Sequence, residues 1–345
     1  MRVLIKKLLG YRQVKFIKGF LGYYQIPDAV VEEAARTYRG YMEQGRLPSA
    51  HPRIIHLETR SLCNSRCGFC AAAITNPTRP KDVLMPDALI DKVLTELAVI
   101  GYANRLSFYN NNEPFLDKRI FQIVARARQQ LPKKAYLEIK TNGLTLTADH
   151  VLRIFEAGLD HLHINDYVSD GRPSQRIRVL RKELAHLERE GRMMTGRFVS
   201  DHIVISTRQV DEMLSTRAGT APNRAALKEP LQLPCFRPFE MMTVNPAGSV
   251  GVCSSDLYFR NPMGNVSEQS LMEIWNSPRW QEIRWRLLDG DRAAYPETCR
   301  DCDTHNPKIE LMQAAGVRLP RRLVRRLQRV LMGREAPLPV GRDLD

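Results

Sequence analysis

Cys63-Asn64-Ser65-Arg66-Cys67-Gly68-Phe69-Cys70 places three thiols at C-x3-C-x2-C spacing in one short loop. Thiolates are the usual ligands of iron-sulfur clusters, and a closed four-iron cluster takes four of them. Three ligands in one loop therefore leave one iron open to a ligand from outside the chain, and chemistry is expected at that open position. A zinc loop or three buried thiols is the competing reading.

With Phe69 ahead of its last cysteine, this loop resembles the signature of the radical S-adenosylmethionine (radical SAM) enzymes. The resemblance implies that SAM chelates the open iron through its amino and carboxylate groups. An electron from the cluster then splits the sulfonium and releases a 5′-deoxyadenosyl radical, so cofactor and cluster carry the hard step while the protein positions and shields.

Four more cysteines complete the seven: Cys235, Cys253, and the pair Cys299 and Cys302 of a CRDC knuckle. Twelve residues separate Cys235 from Gly248, and four more lead to Cys253. That run is similar to the opening of the SPASM and Twitch auxiliary domains. DTHNPK after the knuckle supplies no further cysteine, so the shorter Twitch version fits better. Four ligands suffice for one closed auxiliary 4Fe-4S cluster, and a four-thiolate zinc site is the alternative. Three plus four ligands leave no spare thiol to return a hydrogen atom to a substrate. Net oxidation is favoured over epimerisation, with the auxiliary cluster accepting an electron or anchoring the substrate.

Short β-rich runs alternate with amphipathic helices downstream of a helical N-terminal extension, the pattern of an α/β fold with parallel strands. Helices are predicted from about Pro86 to Ile100, with Pro86 in the first turn, from about 117 to 131 and from Thr147 to Phe155. Strands are predicted near 53 to 58, 105 to 110, 135 to 140, 161 to 165 and 202 to 207. Apolar Ile55, Leu57, Leu106, Phe108, Leu137, Ile139, Leu162, Ile164, Ile203 and Ile205 occupy one face, which must meet helices. The opposite face carries His56, Glu58, Ser107, Tyr109, Glu138, Lys140, His161, His163, Ser206 and Arg208. A closed barrel fills its interior with Val, Ile and Leu. This lumen is too polar for that, so the expected fold is an open, partial (β/α)6 TIM-like barrel holding a polar cofactor and a polar substrate, with a small C-terminal Twitch/SPASM-like auxiliary cluster domain. An antiparallel sheet with one wet face is the alternative.

The resemblance also assigns SAM contacts. YNNNEP at Tyr109 to Pro114 looks like the Gly-Glu-Pro motif for the methionine amino group, with Asn112 in place of glycine and Glu113 and Pro114 retained. Lys140, Thr141, Asn142 and Gly143 resemble the third-strand motif, and Asn165 or Asp166 stands where the ribose is held. Ser206 and Arg208 end the fifth strand, where Arg208 pairs with the SAM carboxylate or aids substrate deprotonation. Arg208, His163, Lys140, Glu138 and Tyr109 are the candidates for base or orienting group. MMTVNPAGSVGVC reads as a hairpin around Pro246, Ala247 and Gly248, and GNVSEQSLMEIWNS resembles the helix after the first auxiliary hairpin. The expected division is a basic N-terminal extension (1–51), a radical SAM partial barrel (52–232), a Twitch/SPASM-like domain (233–310) and a basic amphipathic tail (311–345).

Chain length and 43% hydrophobic content allow one large core plus a small appended domain. Cysteines clustered at ligand spacings argue for a reducing cytosol. Arg12, Lys15 and Lys18 interrupt any signal-peptide core, and no run approaches the roughly 18 apolar residues of a membrane span. The net charge of +14 gathers at the ends. In RRLVRRLQRVLMGR, Leu323, Leu327, Val330 and Leu331 fall at helical spacing among arginines, suiting an anionic membrane surface or an acidic partner, or a solvated helix on its own barrel. No stacking platform interleaves those arginines, which argues against nucleic acid.

The nearest four-cysteine resemblance is to the aminocyclitol dehydrogenases of aminoglycoside biosynthesis, implying a hydroxylated sugar or cyclitol as substrate and a flavodoxin- or ferredoxin-like electron donor. A ribosomal peptide undergoing cross-linking is the alternative, although about fifty helical residues before the first strand are short for a winged-helix leader-peptide domain. The GTP cyclase relative fits less well, since the chain ends Asp343-Leu344-Asp345 and not in a glycine pair. A zinc-binding scaffold recruiting an anionic partner is the non-enzymatic alternative.

Overall fold

The computed structural model describes residues 28–77, 81–190, 202–213, 215–295 and 298–304. Two compact units emerge, Met1–Gln44 with Asn306–Asp345, and Gly45–His305. Helix α1 (Asp28–Glu43) is the described part of the first, and Val31, Ala34, Ala35 and Tyr38 form its buried face at helical spacing. The tail helix and most of the basic ends lie outside the described residues.

In the second unit, β1 (Ile54–Leu57), α2 (Asp87–Val99), β2 (Arg105–Ser107), α3 (Ile120–Gln130), β3 (Tyr136–Thr141), α4 (Ala148–Glu156), β4 (His161–Val168), α5 (Gln175–Arg189) and β5 (Ile203–Gln209) alternate in chain order. The five strands pair in parallel in the order 5-4-3-2-1. Helix α6 (Arg237–Glu240) leads into β6 (Met241–Val244), which is parallel to β1 with Ile54 opposite Met241 and Leu57 opposite Val244. Strands β7 (Ser249–Gly251) and β8 (Gly264–Asn265) continue the sheet antiparallel, followed by α7 (Leu271–Trp275) and α8 (Pro278–Leu288).

Six parallel strands are therefore present. The sixth sits on the free edge of β1, at the opposite end of the parallel array from β5, and it is one arm of the hairpin assigned to the auxiliary domain. All four of its residues are buried, so the edge of β1 is covered by an apolar strand. Gly248 closes that hairpin at φ +82°, and a Cβ there would stand 2.5 Å from Asn265 Oδ1. Only glycine fits the turn.

Helix ends differ from prediction by local chemistry. Pro86 is the N-cap of α2, one position before its first helical residue. Helix α3 starts at Ile120 and not at 117, because Pro114–Leu116 form a single 3-10 turn and Asp117 Oδ1 accepts the Arg119 amide at 3.0 Å. Thr147 caps α4 by accepting the His150 amide at 3.2 Å. A serine-glutamate capping box, Ser270 with Glu273, starts α7. Helix α5 is an addition: Ile177, Leu180, Leu184 and Leu187 are buried at 3-4-3 spacing within a heavily charged segment.

The two faces separate as their alternation predicts. Ile55, Leu57, Leu106, Phe108, Leu137, Ile139, Leu162 and Ile164 are fully buried with α2, α3 and α4, each such burial contributing about 1.5–3 kcal/mol. Across the opposite face, Thr243, His56, Ser107, Glu138 and His161 lie side by side in register, all buried. A row of buried polar side chains has to be mutually hydrogen-bonded or filled by a ligand.

Candidate active site and cluster cavity

The cysteine loop crosses the C-terminal ends of the parallel strands, where α/β sheets place their ligands. The Glu58 amide donates to Val244 O at 2.9 Å, the Glu113 amide to Leu62 O at 2.9 Å and the Gly68 amide to Val210 O at 2.7 Å. Asn142 Nδ2 donates to Asn64 Oδ1 at 2.9 Å and approaches Cys63 Sγ at 3.8 Å. The segments following β2, β5 and β3 thus hold one loop, and the β1–β6 ladder holds the chain leading into it. Ser65 Oγ lies 2.9 Å from Cys67 Sγ, and buried Phe69 packs on Tyr167 with ring centres 5.4 Å apart. Burial pushes the Cys63 thiol up to about 12 and the Cys67 thiol to about 11. Loading a metal there must release protons.

The expected SAM positions gather around this loop in different roles. Glu113 is buried with both oxygens committed: Oε1 accepts Thr141 Oγ1 at 2.7 Å and the Phe115 amide at 3.2 Å, and Oε2 accepts the Asn142 amide at 2.7 Å. Burial raises its carboxyl to about 7 against those three donors. Glu113 therefore shapes the loop, together with Pro114, the first residue of the 3-10 turn. Asp166 likewise turns inward, accepting the Ser174 amide at 2.8 Å. Asn112 Nδ2 and Asn165 Oδ1 are buried without a hydrogen-bond partner among the described residues. Orphaned polar atoms at two of the assigned positions are what a polar cofactor would satisfy, so these residues fit SAM. Ser206 Oγ bonds His163 Nε2 at 3.0 Å, and Arg208 pairs with Glu212 at 2.6 Å.

Below this rim, Glu138 is the hub of the lumen. Its Oε2 accepts Arg105 Nη1 at 2.9 Å, Ser107 Oγ at 3.1 Å and Tyr109 OH at 3.4 Å, while Lys140 Nζ stands 4.0 Å from Oε1. Burial alone would raise this carboxyl, but Arg105 and Lys140, with His161 and His56, hold it below its usual range. Burial and the Glu138 charge keep Tyr109 a neutral phenol well above its ordinary value. Lys140 Nζ sits 5.5 Å over the Tyr109 ring. Burial, then Lys140, lowers His163 to about 3, and burial lowers His56 to about 4 although its Nδ1 bonds Tyr109 O at 2.9 Å. Both imidazoles are neutral near pH 7. All five candidate groups thus line one polar face, and Glu138, with its Oε2 taken by three donors and its Oε1 facing Lys140, orders Tyr109 and Lys140.

The remaining cysteines converge on one cavity lined by Cys235, Cys253, Cys299 and Cys302, with Arg237 and Arg292 in its wall. All seven cysteines are free thiols. Among the described residues, no three His, Cys, Asp or Glu side chains close on a point that could hold a single metal ion. Four thiols around a common cavity are the donor set of a closed iron-sulfur cluster. Two guanidiniums beside four prospective thiolates fit an anionic group.

Sequence reading missed Arg105, Arg217, Arg237 and Arg292, which are isolated arginines with no motif around them. Arg217 Nη2 donates to Asn111 Oδ1, and Arg217, Ala218 and Gly219 all have positive φ, at 45°, 55° and 76°. A run of two non-glycine residues there is strained and over-determined by its surroundings. Thr216 supplies them, its amide and hydroxyl bonding Asp303 Oδ1 and Asp301 O at 2.8 and 2.7 Å. Near Arg217, burial raises Glu58 from 4.5 to about 8, against the Asn111 amide, Asn110 and Arg217. Since the folded value exceeds the unfolded one, the protonated carboxyl's stabilising contribution is present in acid and is lost as pH rises from 4.5 through about 8. Glu58→Gln is expected to flatten that decline and to raise the denaturation midpoint above pH ~8 relative to the parent chain. Urea titrations on either side of that pH check it; parallel profiles for both proteins would refute the burial account.

Residues 58–165 match the radical SAM superfamily, and residues 235–303 match SPASM, an iron-sulfur cluster-binding domain. The chain is 24% identical over 257 residues, covering 74% of this chain and 95% of the relative, to the S-adenosyl-L-methionine-dependent 2-deoxy-scyllo-inosamine dehydrogenase of Niallia circulans. Among solved structures, BtrN in complex with AdoMet and 2-DOIA superposes with a TM-score of 0.61 at 25% identity, covering 74% of this chain and 94% of that one. BtrN in an open conformation gives 0.53 at 21% identity, over 74% and 93%. Among the described residues, no helix is long and apolar enough to cross a membrane.

Proposed function

Since this chain is a radical SAM enzyme carrying a SPASM-type iron-sulfur domain, we propose that it oxidises a secondary alcohol of a small hydroxylated ring, of the sugar or cyclitol class, to the ketone. When bound, the first cluster with SAM supplies a carbon-centred oxidant that takes one hydrogen atom, and the second cluster supplies an acceptor for one electron. Cys63, Cys67 and Cys70 hold the first, and Cys235, Cys253, Cys299 and Cys302 hold the second. Phe69, Asn112, Glu113, Pro114, Thr141, Asn142, Asn165, Asp166, Ser206 and Arg208 form the SAM site, Glu113 and Asp166 by shaping its loops. The division at 232/233 is retained as a division of labour, although the sheet runs through it.

The polar lumen supports the substrate class. Lys140 is a donor to ring oxygens, and the Tyr109 phenol, whose proton goes to Glu138, is an acceptor for a ring hydroxyl, both ordered by Glu138 from below. Oxidising an alcohol removes a hydrogen atom, an electron and a proton, and the proton needs an acceptor on this chain. Loss of the electron makes the hydroxyl a strong acid, so a weak base suffices, and His163 is neutral and set by Ser206 for that role. Arg208 orients the carboxylate of SAM or the leaving proton's oxygen.

The observation that carries the reading is the single cavity shared by the last four cysteines. No thiol is left to hand a hydrogen atom back, so the substrate leaves oxidised. The relative named above as a 2-deoxy-scyllo-inosamine dehydrogenase supplies the test compound. Anaerobically reconstituted protein with dithionite, SAM and 2-deoxy-scyllo-inosamine deuterated at all of its carbinol carbons is expected to yield deuterated 5′-deoxyadenosine and ketone in equal amounts. Epimerised alcohol, or 5′-deoxyadenosine with no oxidised product from any cyclitol or sugar, would sink the proposal.

A flavodoxin- or ferredoxin-like donor belongs to the same proposal. Arg66 is exposed within the cysteine loop, Ile74, Val83 and Leu84 are exposed near it, and the net charge favours an acidic partner. Contact of the basic ends with an anionic membrane surface in the cytoplasm is proposed from charge alone.

A further inference from the structure

Three guanidiniums lie around the four-thiol cavity, and among the described residues only Arg237 has a carboxylate, that of Glu240, near enough to act on its charge. Arg292, 2% exposed, donates to the carbonyl oxygens of Leu233 at 3.1 Å, Thr304 at 3.0 Å and Cys302 at 3.4 Å. Arg237 donates to Met241 Sδ at 3.6 Å. Both line the cavity. One layer out, Arg284 is fully buried, donates through Nε to Pro238 O at 3.1 Å and through Nη1 to Trp275 O at 2.9 Å, and lies 4.1 Å over the Trp275 ring. Its Nη2 is buried with no hydrogen-bond partner among the described residues. Pro238, its acceptor, is itself a lining residue.

Every acceptor in that set is a neutral carbonyl or thioether. Burying a cation is costly unless an anion is near, and three together are costlier still. Apart from Glu240 beside Arg237, the charge that balances them is the cavity's own content: four thiolates around an iron-sulfur body carry a net negative charge, which grows by one when an electron arrives. Cations close to a group favour its more negative state. The arrangement therefore weighs toward the reduced cluster, which is what an electron acceptor needs.

We propose that Arg237 and Arg292, backed by Arg284, raise the reduction potential of the auxiliary cluster and so make it the electron sink of the reaction. They are positioning residues: none is required to touch the substrate. The balance is one electron and one proton lost by the alcohol-derived radical, the electron gained by the oxidised cluster and the proton by the chain. This inference rests on the assignment of residues 235–303 to an electron-accepting cluster.

The test is potentiometric and needs no substrate. In full-length chain with Cys63, Cys67 and Cys70 all replaced by alanine, the auxiliary cluster is titrated alone and followed by electron paramagnetic resonance. Arg237→Gln is expected to shift its reduction equilibrium about tenfold against the reduced form, about 59 mV for a one-electron couple, while Arg237→Lys stays close to the parent. Loss of the cluster from the glutamine variant with retention in the lysine variant also supports a charge requirement. An unchanged potential in Arg237→Gln with the cluster in place overturns the inference and leaves the functional reading standing, as does cluster loss from both variants. A parent chain without any second cluster overturns both.

Discussion

Single replacement of Cys63, Cys67 or Cys70 by alanine is expected to lower 5′-deoxyadenosine formation by at least about a thousandfold, the equivalent of about 4 kcal/mol of barrier. On the proposed assignment three thiols of one loop hold the first cluster, and the loop is held by the segments that follow three strands, so no neighbouring cysteine can move in to substitute. Iron should fall from about eight to about four per chain. Wild-type turnover by any of the three variants, or an unchanged iron content, would remove the basis for the activity.

Cys299→Ala and Cys302→Ala should give a different phenotype. Both thiols face the auxiliary cavity and neither belongs to the loop across the strand ends. Iron is again halved, but SAM cleavage is expected to persist while ketone per 5′-deoxyadenosine falls by about tenfold or more, since the second electron has lost its acceptor. Coupled product analysis on one sample measures both compounds. Full coupling in these variants would mean that the electron leaves by another route, and a complete loss of SAM cleavage would mean that the cavity supports the fold more than the chemistry.

Much of this was legible in the residues themselves. Cysteine spacing defines a ligand set without any knowledge of the fold, and alternation along Ile55-His56-Leu57-Glu58 or Leu137-Glu138-Ile139-Lys140 states which side chains share a face. Side-chain direction beyond the face is not written there. Glu113 occupies the motif position for a cofactor contact, yet its oxygens are taken by Thr141, Phe115 and Asn142, a commitment that depends on where the end of β3 lies. Helix α5 hides its four buried residues among charges. The pairing of β6 with β1 depends on which edge the sheet leaves open, a long-range outcome that local propensity does not encode. Arg237 and Arg292 acquire meaning only beside the thiols of distant segments.

The strand Met241–Val244 has a further consequence for how such enzymes can be recombined. It completes the hydrogen-bond ladder of β1 on one side while its hairpin arm carries the chain toward Cys253. A chain cut just upstream of it would expose the backbone of Ile54–Leu57 as a bare, apolar template for sticking to other molecules. Shuffling of auxiliary modules between catalytic barrels of this kind must therefore carry this strand with the barrel, which places the viable crossover point downstream of Val244 and inside the hairpin turn.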